Sequence, residues 1–398
     1  MHSTTSPVYS TPYMSVQITI LALFDRISTY HTLAPWLTGY YRAGWRTLFP
    51  ESDGVSAPPR ITYTDDPRWC LRTDKNEHLI IVRRFLKPPV VDLDLMERLR
   101  GRYRRIFFLN GNAGGGIHRP EILPYIDRFY NKAIFSDRST YRRALYGAEL
   151  FSQYYHDEFD IDDDPEILTP AIDATGIEKI HTHWNIGVGD FPRKRTPQRI
   201  GVALSRMPLG GPRLAVPVYH RKLVVEPSPI SPPSPEDALF DVNARLGNPG
   251  YPTIAFHRQH LGQVLREASE RNGWRVARDR VDPRRYRIEM ERSLITFSPF
   301  GWGELCFRDF EAIRAGSLLI KPDMSHLETW PDVFVPGETY VPVRWDGADL
   351  EETVARYLED RDERERIARN AHARLASELA SLPRRSAGIL RDLLHDPT

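Results

Sequence analysis

The segment from Leu294 to Lys321 constrains the fold more than any other part of the sequence. Its pattern predicts a strand, a glycine turn, a helix and a second strand, over Leu294–Ser298, Gly301–Gly303, Glu304–Ala315 and Ser317–Lys321. Two strands joined by a crossover helix form the unit from which parallel sheets are built. The segment therefore predicts an α/β fold with a parallel sheet.

The same alternation of apolar runs and helix-spaced apolar residues extends along both halves of the chain. Further strands are predicted over Val16–Phe24, Arg60–Thr64, His78–Phe85, Arg105–Leu109, Ile180–Gly189, Ala238–Val242, Trp274–Ala277 and Thr339–Val343. Further helices are predicted over Thr29–Arg42, Asp92–Arg100, Glu121–Tyr130, Ser139–Tyr155, Ile254–Arg271, Pro283–Glu291, Asp349–Glu359 and Arg361–Leu379. Strands that alternate with helices twice over predict two Rossmann-like domains that face a cleft.

A chain of 398 residues exceeds the size at which one hydrophobic core stops growing, so two domains are expected. Prolines recur between Phe191 and Asp237 and peak in the run EPSPISPPSPED, which can continue neither a helix nor a sheet ladder. We therefore predict an N-terminal domain over residues 1–190 and a proline-rich connector over 191–236. A C-terminal domain over 237–370 and a helical tail over 371–398 would follow.

Composition excludes several classes of protein. The net charge of +1 gives no electrostatic case for a nucleic-acid partner. Cys70 and Cys306 are too few for a disulfide framework, and reduced thiols favour the cytoplasm. The longest apolar stretch, Val16–Phe24, is far below the ~20 residues that a transmembrane helix needs. We expect a cytoplasmic protein without a transmembrane segment, for which peripheral contact with a membrane stays open.

The turn after the strand that ends at Ser298 is the strongest candidate for a ligand site. Gly301 and Gly303 allow close approach of the backbone, and the N-terminus of a following helix attracts anions. Glu304, Arg308 and Glu311 are spaced by four and three residues and would share one face of that helix. The alternative is an ordinary exposed Glu–Arg helix pair, worth about 0.2–0.5 kcal/mol.

The stretch FSPFGWGELCFRDFEAIRAGSLLIKPDMSHLETWPDVF…YVPVRWD resembles the C-terminal domain of GT-B glycosyltransferases. The similarity is to the group-1-like enzymes of polysaccharide biosynthesis, with a layout like that of exostosin-like and capsule-associated sugar transferases. It is strong over residues 290–345 and weak before residue 200. It implies a glycosyltransferase that takes a nucleotide-sugar donor in the C-terminal domain and a glycan or lipid-linked acceptor, in surface polysaccharide assembly.

The resemblance also implies roles for individual residues. Glu304 would contact the donor sugar and Glu311 the ribose, although these glutamates are seven positions apart, whereas many GT-B enzymes have two glutamates eight apart. Arg258 and Lys321 would neutralise the diphosphate. Ser298, Gly301, Gly303 and Arg308 complete the predicted donor site. GT-B enzymes generally work without an essential metal, so no metal and no cofactor is expected beyond the nucleotide-sugar substrate.

An inverting transferase needs a general base near the acceptor hydroxyl. Asp25, after the first strand, and His118, after the glycine-rich turn Asn110–Gly116, lie where strand ends would face the cleft. Asp190 is a weaker candidate. The pair His181 and His183 would share one face of a strand, but no third ligand suggests a metal.

Two other classes of function compete with sugar transfer. A non-catalytic protein that binds a nucleotide-sugar or a glycan would keep the same fold but lack a base. A nicotinamide-dependent oxidoreductase is disfavoured, because Ala113 stands where a GxGxxG fingerprint would need its middle glycine.

Overall fold

The computed structural model describes most of the chain. The described residues are 17–24, 29, 31–33, 60–82, 91–147, 149–163, 168–189, 195–205, 207, 214–215, 227–247 and 251–394. Most of the predicted helix over Thr29–Arg42 lies outside these ranges. So do Asp25 and Asp190, two of the predicted base candidates.

The N-terminal half forms a six-stranded sheet in which every neighbouring pair is parallel. The strand order is β2-β1-β3-β4-β5-β9. The strands are β1 Gln17–Leu21, β2 Arg60–Thr64, β3 His78–Val82, β4 Arg105–Leu109, β5 Arg128–Asn131 and β9 Ile180–Thr182. The central strands β3 and β4 are buried along their whole length, as expected for strands covered on both faces.

The C-terminal half forms a second, five-stranded parallel sheet in the order β11-β10-β12-β13-β15. Its strands are β10 Phe240–Asn243, β11 Val276–Ala277, β12 Ser293–Phe297, β13 Leu318–Pro322 and β15 Val341–Val343. Two parallel sheets confirm the predicted α/β class with two Rossmann-like units.

Helices and short ribbons complete the described structure. The helices are α1 Pro67–Arg72, α2 Leu93–Arg102, α3 Leu150–Phe159, α4 Ala174–Glu178, α5 Arg195–Ser205, α6 Pro252–Asn272, α7 Pro283–Glu291, α8 Phe307–Ala315, α9 Leu350–Glu359, α10 Arg361–Ala380 and α11 Leu382–Leu394. The short strands are β6 Ala133–Phe135, β7 Leu145–Tyr146, β8 Leu168–Thr169 and β14 Leu327–Thr329. In the described part of the chain, no helix is both long enough and apolar enough to cross a membrane.

Extensive contacts join the two halves. Strand β14 pairs antiparallel with β6 of the first half. His257 on α6 bridges the halves, because Nδ1 lies 2.7 Å from the Tyr155 hydroxyl and Nε2 accepts the Phe300 amide at 2.8 Å. The C-terminal helix α11 returns to the first sheet, where Asp392 accepts a 2.7 Å hydrogen bond from the Tyr130 hydroxyl. One continuous apolar cluster therefore runs through both halves.

Three predicted elements were wrong. The helix predicted over Glu121–Tyr130 is a 3-10 helix, Pro120–Tyr125, followed by β5, because Pro124 lacks a backbone donor for a longer helix. The helix predicted over Ser139–Tyr155 is a 3-10 helix, Arg138–Arg142, then β7 and the start of α3. These pieces are separated at Gly147, whose φ is +67°. The strand predicted over Ile180–Gly189 ends at Thr182 and is followed by a 3-10 helix, Ile186–Val188.

The acidic stretch Asp157–Asp163 contributes to the junction of the halves. Helix α3 continues to Phe159, and Asp163 is buried. Its carboxylate accepts hydrogen bonds from the Thr253 amide (2.9 Å) and the Thr253 hydroxyl (2.9 Å), at the first turn of α6. It thereby satisfies a backbone donor that the start of a helix leaves unpaired.

We predict that Asp163→Ala lowers the free energy of unfolding by about 1–2 kcal/mol, because it removes these bonds from the α6 N-terminus. Urea unfolding followed by far-UV circular dichroism measures the change. Asp162→Ala is the matched control: the neighbouring carboxylate is 70% exposed and pairs with His156. Its loss should change stability by less than about 0.5 kcal/mol. Equal effects of the two substitutions would contradict the role of Asp163.

Candidate active site

The strand order of the second sheet locates a ligand crevice. From β10 the chain crosses to β11 on one side and then to β12 on the other, so the order reverses between β10 and β12. In open α/β sheets, ligands bind beyond the carboxyl ends of the strands at such a switch point. Here those ends are Asn243 on β10 and Phe297–Ser298 on β12. The segment singled out in the sequence therefore begins at this crevice.

Asn243 is fully buried at the end of β10, and among the described residues neither polar atom of its side-chain amide has a hydrogen-bond partner. An orphaned buried amide is costly, so such groups in folded proteins usually serve a ligand or a water. The residue type and its place at the switch point were not anticipated from the sequence.

Two arginines extend this polar cluster. Arg308 on α8 donates to the backbone carbonyl of Arg245 at 2.6 Å, two residues beyond Asn243. The buried Nε and Nη1 atoms of both guanidinium groups have no hydrogen-bond partner within the described part of the chain. Arg245 forms an ion pair with Glu289 through Nη2, and the Arg308 guanidinium is also in contact with the Tyr286 side chain. The cluster offers several N–H donors of the kind that bind phosphate oxygens.

Glu311 lies one turn further along α8, and the Tyr286 hydroxyl of α7 donates to its Oε2 at 3.0 Å. Burial and the Glu311 charge raise the pKa of Tyr286, whereas the adjacent Arg308 lowers it. Both residues border a shallow, water-sized depression between α7 and α8, together with Met290 and Ala315. A carboxylate and a phenol at such a depression can accept and donate hydrogen bonds to a diol.

The glycine turn is held from both sides. Arg258 of α6 donates to the carbonyls of Phe300 and Gly247, each at 2.6 Å, and a Cβ at Gly301 would lie 2.7 Å from its Nη2. A Cβ at Gly303 would lie 2.5 Å from the carbonyl carbon of Ala113 in the first half. The sequence predicted close backbone approach at both glycines; at each, the near neighbour is the protein itself. A role for Arg258 at the diphosphate stays a prediction, and two of its donors are already used by the turn.

Lys321 and Ser298 lie in the interior beneath the turn. The Lys321 ammonium lies 3.1 Å from Asp309 Oδ2, and both side chains are fully buried. The Ser298 hydroxyl donates to Asp309 Oδ1 at 2.5 Å, and the Cys306 amide donates to Oδ2 at 2.9 Å. This geometry favours a structural role for both residues, and contact between Lys321 and phosphate stays a prediction without support from its position.

The sequence predicted that Glu304 lies on the helix after the glycine turn. Helix α8 begins only at Phe307, so Glu304 precedes it. The residues before α8 form a bend that contacts the first half, where the Leu305 amide donates to the Ala113 carbonyl at 2.9 Å. We call this contact between Asn110–Gly116 and Gly301–Leu305 the interdomain seam. Glu304 is fully buried in the seam, and its contact with a donor sugar stays a prediction that would require the seam to open.

His118, the base candidate in the described residues, is about one-third exposed at the edge of the seam. Its Nε2 lies 3.6 Å from Glu149 Oε1, and Glu149 is buried. The imidazole and the carboxylate are therefore close enough for an ion pair. The sequence did not reveal Glu149, because it precedes α3 in an unremarkable context. A buried glutamate becomes recognisable only in the folded chain.

The two histidines of the HTHW run are not arranged as a metal pair. His183 is fully buried, its Nε2 lies 2.8 Å from the Asn110 carbonyl oxygen, and burial lowers its pKa to about 3. In the ranges that the structure describes, no three His, Cys, Asp or Glu side chains form a group that could hold a metal ion.

Comparison of sequences finds a match over the part of the chain that follows β10. Residues 253–385 match the family described as "Glycosyl transferase-like". The match spans α6 to the first turn of α11, including the glycine turn, Arg308, Glu311 and the β13 strand. The C-terminal part of the chain is therefore similar to glycosyl transferase-like proteins, and the predicted resemblance of this part is confirmed. The two parallel Rossmann-like sheets in one chain agree with the predicted fold class. None of the curated proteins compared matches the sequence.

Solved structures with a similar layout include a glycosyltransferase from Rickettsia africae ESF-5, with 9% identity and a TM-score of 0.47 over 96% of this chain and 99% of that chain. HepE of Anabaena, solved with UDP, has 12% identity and a TM-score of 0.40 over 94% and 99%. T4 phage BGT, solved with UDP-glucose, has 11% identity and a TM-score of 0.38 over 94% and 98%. Similarity at this level does not define the site of this chain.

We predict that Lys321→Met lowers the free energy of unfolding by about 3–5 kcal/mol, because it leaves the buried Asp309 carboxylate without its cation. Urea unfolding measures the loss. Lys75→Met, at an exposed lysine, is the control and should be nearly neutral. A stable Lys321→Met protein that had lost only nucleotide affinity would instead support the phosphate role predicted from the sequence.

Proposed function

We propose that this protein is a glycosyltransferase that uses a nucleotide-sugar donor, bound at the switch point of the second sheet. The observation that carries the proposal is the convergence of Asn243, Arg245 and Arg308, whose buried donors have no partner among the described residues. Phosphate oxygens are the ligands that such a set of N–H groups fits best. The match of residues 253–385 to a glycosyl transferase-like family supports the same assignment.

The nucleoside would extend from the diphosphate towards Glu311. The Arg308 guanidinium and the Glu311 carboxylate both adjoin Tyr286, so one ligand can contact all three. Glu311 would accept hydrogen bonds from the two ribose hydroxyls, and Tyr286 would position that carboxylate. HepE was solved with UDP and T4 phage BGT with UDP-glucose, which makes uridine diphosphate sugars the first donors to test.

Transfer would proceed without a metal ion. The arginine cluster and the N-terminus of α8 would stabilise the charge that develops on the departing nucleoside diphosphate. The acceptor would be a glycan or a lipid-linked sugar in surface polysaccharide assembly. If the anomeric centre is inverted, His118, oriented by Glu149, would take the proton of the acceptor hydroxyl; Asp25 stays a second candidate for this base.

Asn243→Leu tests the donor site, because it should weaken nucleotide binding without lowering the stability of the fold. Because the amide has no partner among the described residues, an apolar side chain of similar size should leave folding stability unchanged or higher by about 1 kcal/mol. Loss of hydrogen bonds to a charged ligand should weaken binding of the preferred nucleoside diphosphate roughly tenfold or more. Isothermal titration calorimetry and urea unfolding measure the two effects.

The matched control is Asn76→Leu, at a buried asparagine whose Nδ2 donates to the Thr19 hydroxyl at 2.7 Å. It should reduce stability by about 1–3 kcal/mol and leave nucleotide affinity unchanged. If Asn243→Leu destabilised the protein in the same way and bound nucleotide normally, the amide would be a structural group and the donor-site assignment would fail.

A thermal-shift screen with UDP-, GDP-, dTDP- and CMP-sugars, with NADH as the control, identifies the donor class. A ligand that binds only the folded state raises the melting temperature as its concentration exceeds its Kd. We expect a shift with one nucleotide family, and a roughly tenfold loss of affinity in Glu311→Ala, from loss of the ribose contacts. Glu270→Ala, at an exposed glutamate of α6, should bind as the wild type does.

The same ligands, combined with an assay for released nucleoside diphosphate, separate the competing functions. Binding of a nucleotide-sugar without release of nucleoside diphosphate, either to water or to added glycans, would indicate a non-catalytic binding protein. Binding of NADH alone would indicate an oxidoreductase. If the folded protein bound none of these ligands, the donor-site assignment would be wrong.

A further inference from the structure

The interdomain seam contains two buried carboxyl groups, one from each half of the chain. Glu304 follows the glycine turn and is fully buried, and Glu149 precedes α3 and is 5% exposed. A Cβ at Gly114 would lie 2.3 Å from the Glu149 carboxyl atoms, and Gly114 is also in contact with Gly303. The glycine-rich loop therefore contacts both the Glu149 carboxyl group and the segment that carries Glu304.

Each carboxyl group has one oxygen without a hydrogen-bond partner in the described structure, Oε1 of Glu149 and Oε2 of Glu304. The other oxygens are bonded: Glu149 Oε2 accepts the Gly116 amide at 3.0 Å, and Glu304 Oε1 lies 3.2 Å from His326 Nε2. Three groups face the pair: His118 beside Glu149, His326 beside Glu304, and the Tyr141 phenol. Burial raises the pKa of that phenol, and the negative charges of both carboxylates raise it further. The main influences on the pKa of Glu304 are its burial, Glu149, His326 and a backbone hydrogen bond, and none of them comes from an arginine or a lysine.

Two ionised carboxylates cannot be buried side by side at low cost without a cation between them. Burial is the largest cause that raises the pKa of Glu304, and the negative charge of Glu149 is the second; the His326 contact opposes them only in part. The net effect raises the pKa of Glu304 from 4.5 to about 7. A closed seam therefore binds a proton that an open, hydrated seam would release near neutral pH.

We propose that closure of the interdomain seam is coupled to the uptake of one proton by the carboxyl group of Glu304, which closure buries near Glu149. In the closed state this proton removes the repulsion between the two halves. In the open state the Glu304 carboxylate is hydrated, ionised and accessible. The seam is thus a pH-sensitive contact between the domains, and its test needs no substrate.

The direction of the effect follows from the raised pKa. Below about pH 4.5 Glu304 is protonated in both states, so the pair does not oppose closure. As the pH rises towards 7 the open state loses its proton first, and closure becomes progressively less favourable. A difference of 2 to 3 pKa units corresponds to a change on the order of 10²-fold in the closure equilibrium.

Hydrogen–deuterium exchange of the Leu305 amide measures this equilibrium in the full-length protein, because that amide donates to Ala113 across the seam. Rates are normalised to those of an unstructured peptide at the same pH. We expect protection of the Leu305 amide to fall on the order of 10²-fold between pH 5 and pH 8. In Glu304→Gln, protection should be the same at both pH values, because the neutral amide cannot ionise.

Glu149→Gln should weaken the pH dependence without abolishing it, because the burial of Glu304, which is the larger cause, remains; it serves as the second variant if Glu304→Gln does not fold. Glu328→Gln is the matched control: this exposed carboxylate pairs with Arg138 across the same two halves, at 2.8 Å. It should keep the pH dependence of the wild type. The proposal is overturned if wild-type protection does not change with pH, if either of these two Gln variants retains the full dependence, or if the amides of β4 change in parallel, which would indicate global unfolding.

Discussion

The buried ion pair between Lys321 and Asp309 fixes the part of the molecule on which the candidate site depends. Lys321 belongs to β13 and Asp309 to α8, and the carboxylate also holds the Ser298 hydroxyl at the end of β12 and the Cys306 amide before α8. One carboxylate thereby sets the positions of two strands, the turn between them and the start of a helix. Because both charges are fully buried, neither can be removed without leaving the other uncompensated. The positions of Arg308 and Glu311 follow from this network.

The turn fixed in this way serves two purposes. On one side, α8 presents Arg308 and Glu311 to the crevice at the β10–β12 switch point, where the donor is proposed to bind. On the other side, Gly303 and Leu305 contact the glycine-rich loop of the first half, and Glu304 is enclosed with Glu149. A ligand at the crevice and the contact between the domains therefore act on the same short segment. Opening of the seam and occupation of the donor site are consequently expected to influence one another.

The proposed active site contains two kinds of polar residue. One kind is fully hydrogen-bonded to the protein, and the other keeps buried donors without a partner among the described residues. Lys321, Asp309 and Arg258 direct hydrogen bonds to the protein and make the turn rigid. Asn243 and Arg308 keep donors without partners among the described residues, which costs stability in the absence of a ligand. Such unsatisfied groups persist where binding compensates for them. The contrast between the two sets distinguishes residues that build the site from residues proposed to bind.

Much of the fold was predictable from the sequence, because strands and amphipathic helices are set by local apolar spacing. Strands such as Arg60–Thr64 and Arg105–Leu109, the helix Pro283–Glu291 and the strand–glycine turn–helix unit after Leu294 were predicted and confirmed. The glycosyl transferase-like character of the C-terminal part was also legible from residues 290–345. Three features could not be predicted from the sequence: the burial of Glu304, its closeness to Glu149, and the unpartnered amide of Asn243. They depend on residues far apart in sequence that only the packing of the two halves brings together, and burial and electrostatic environment are properties of that packing rather than of any local pattern.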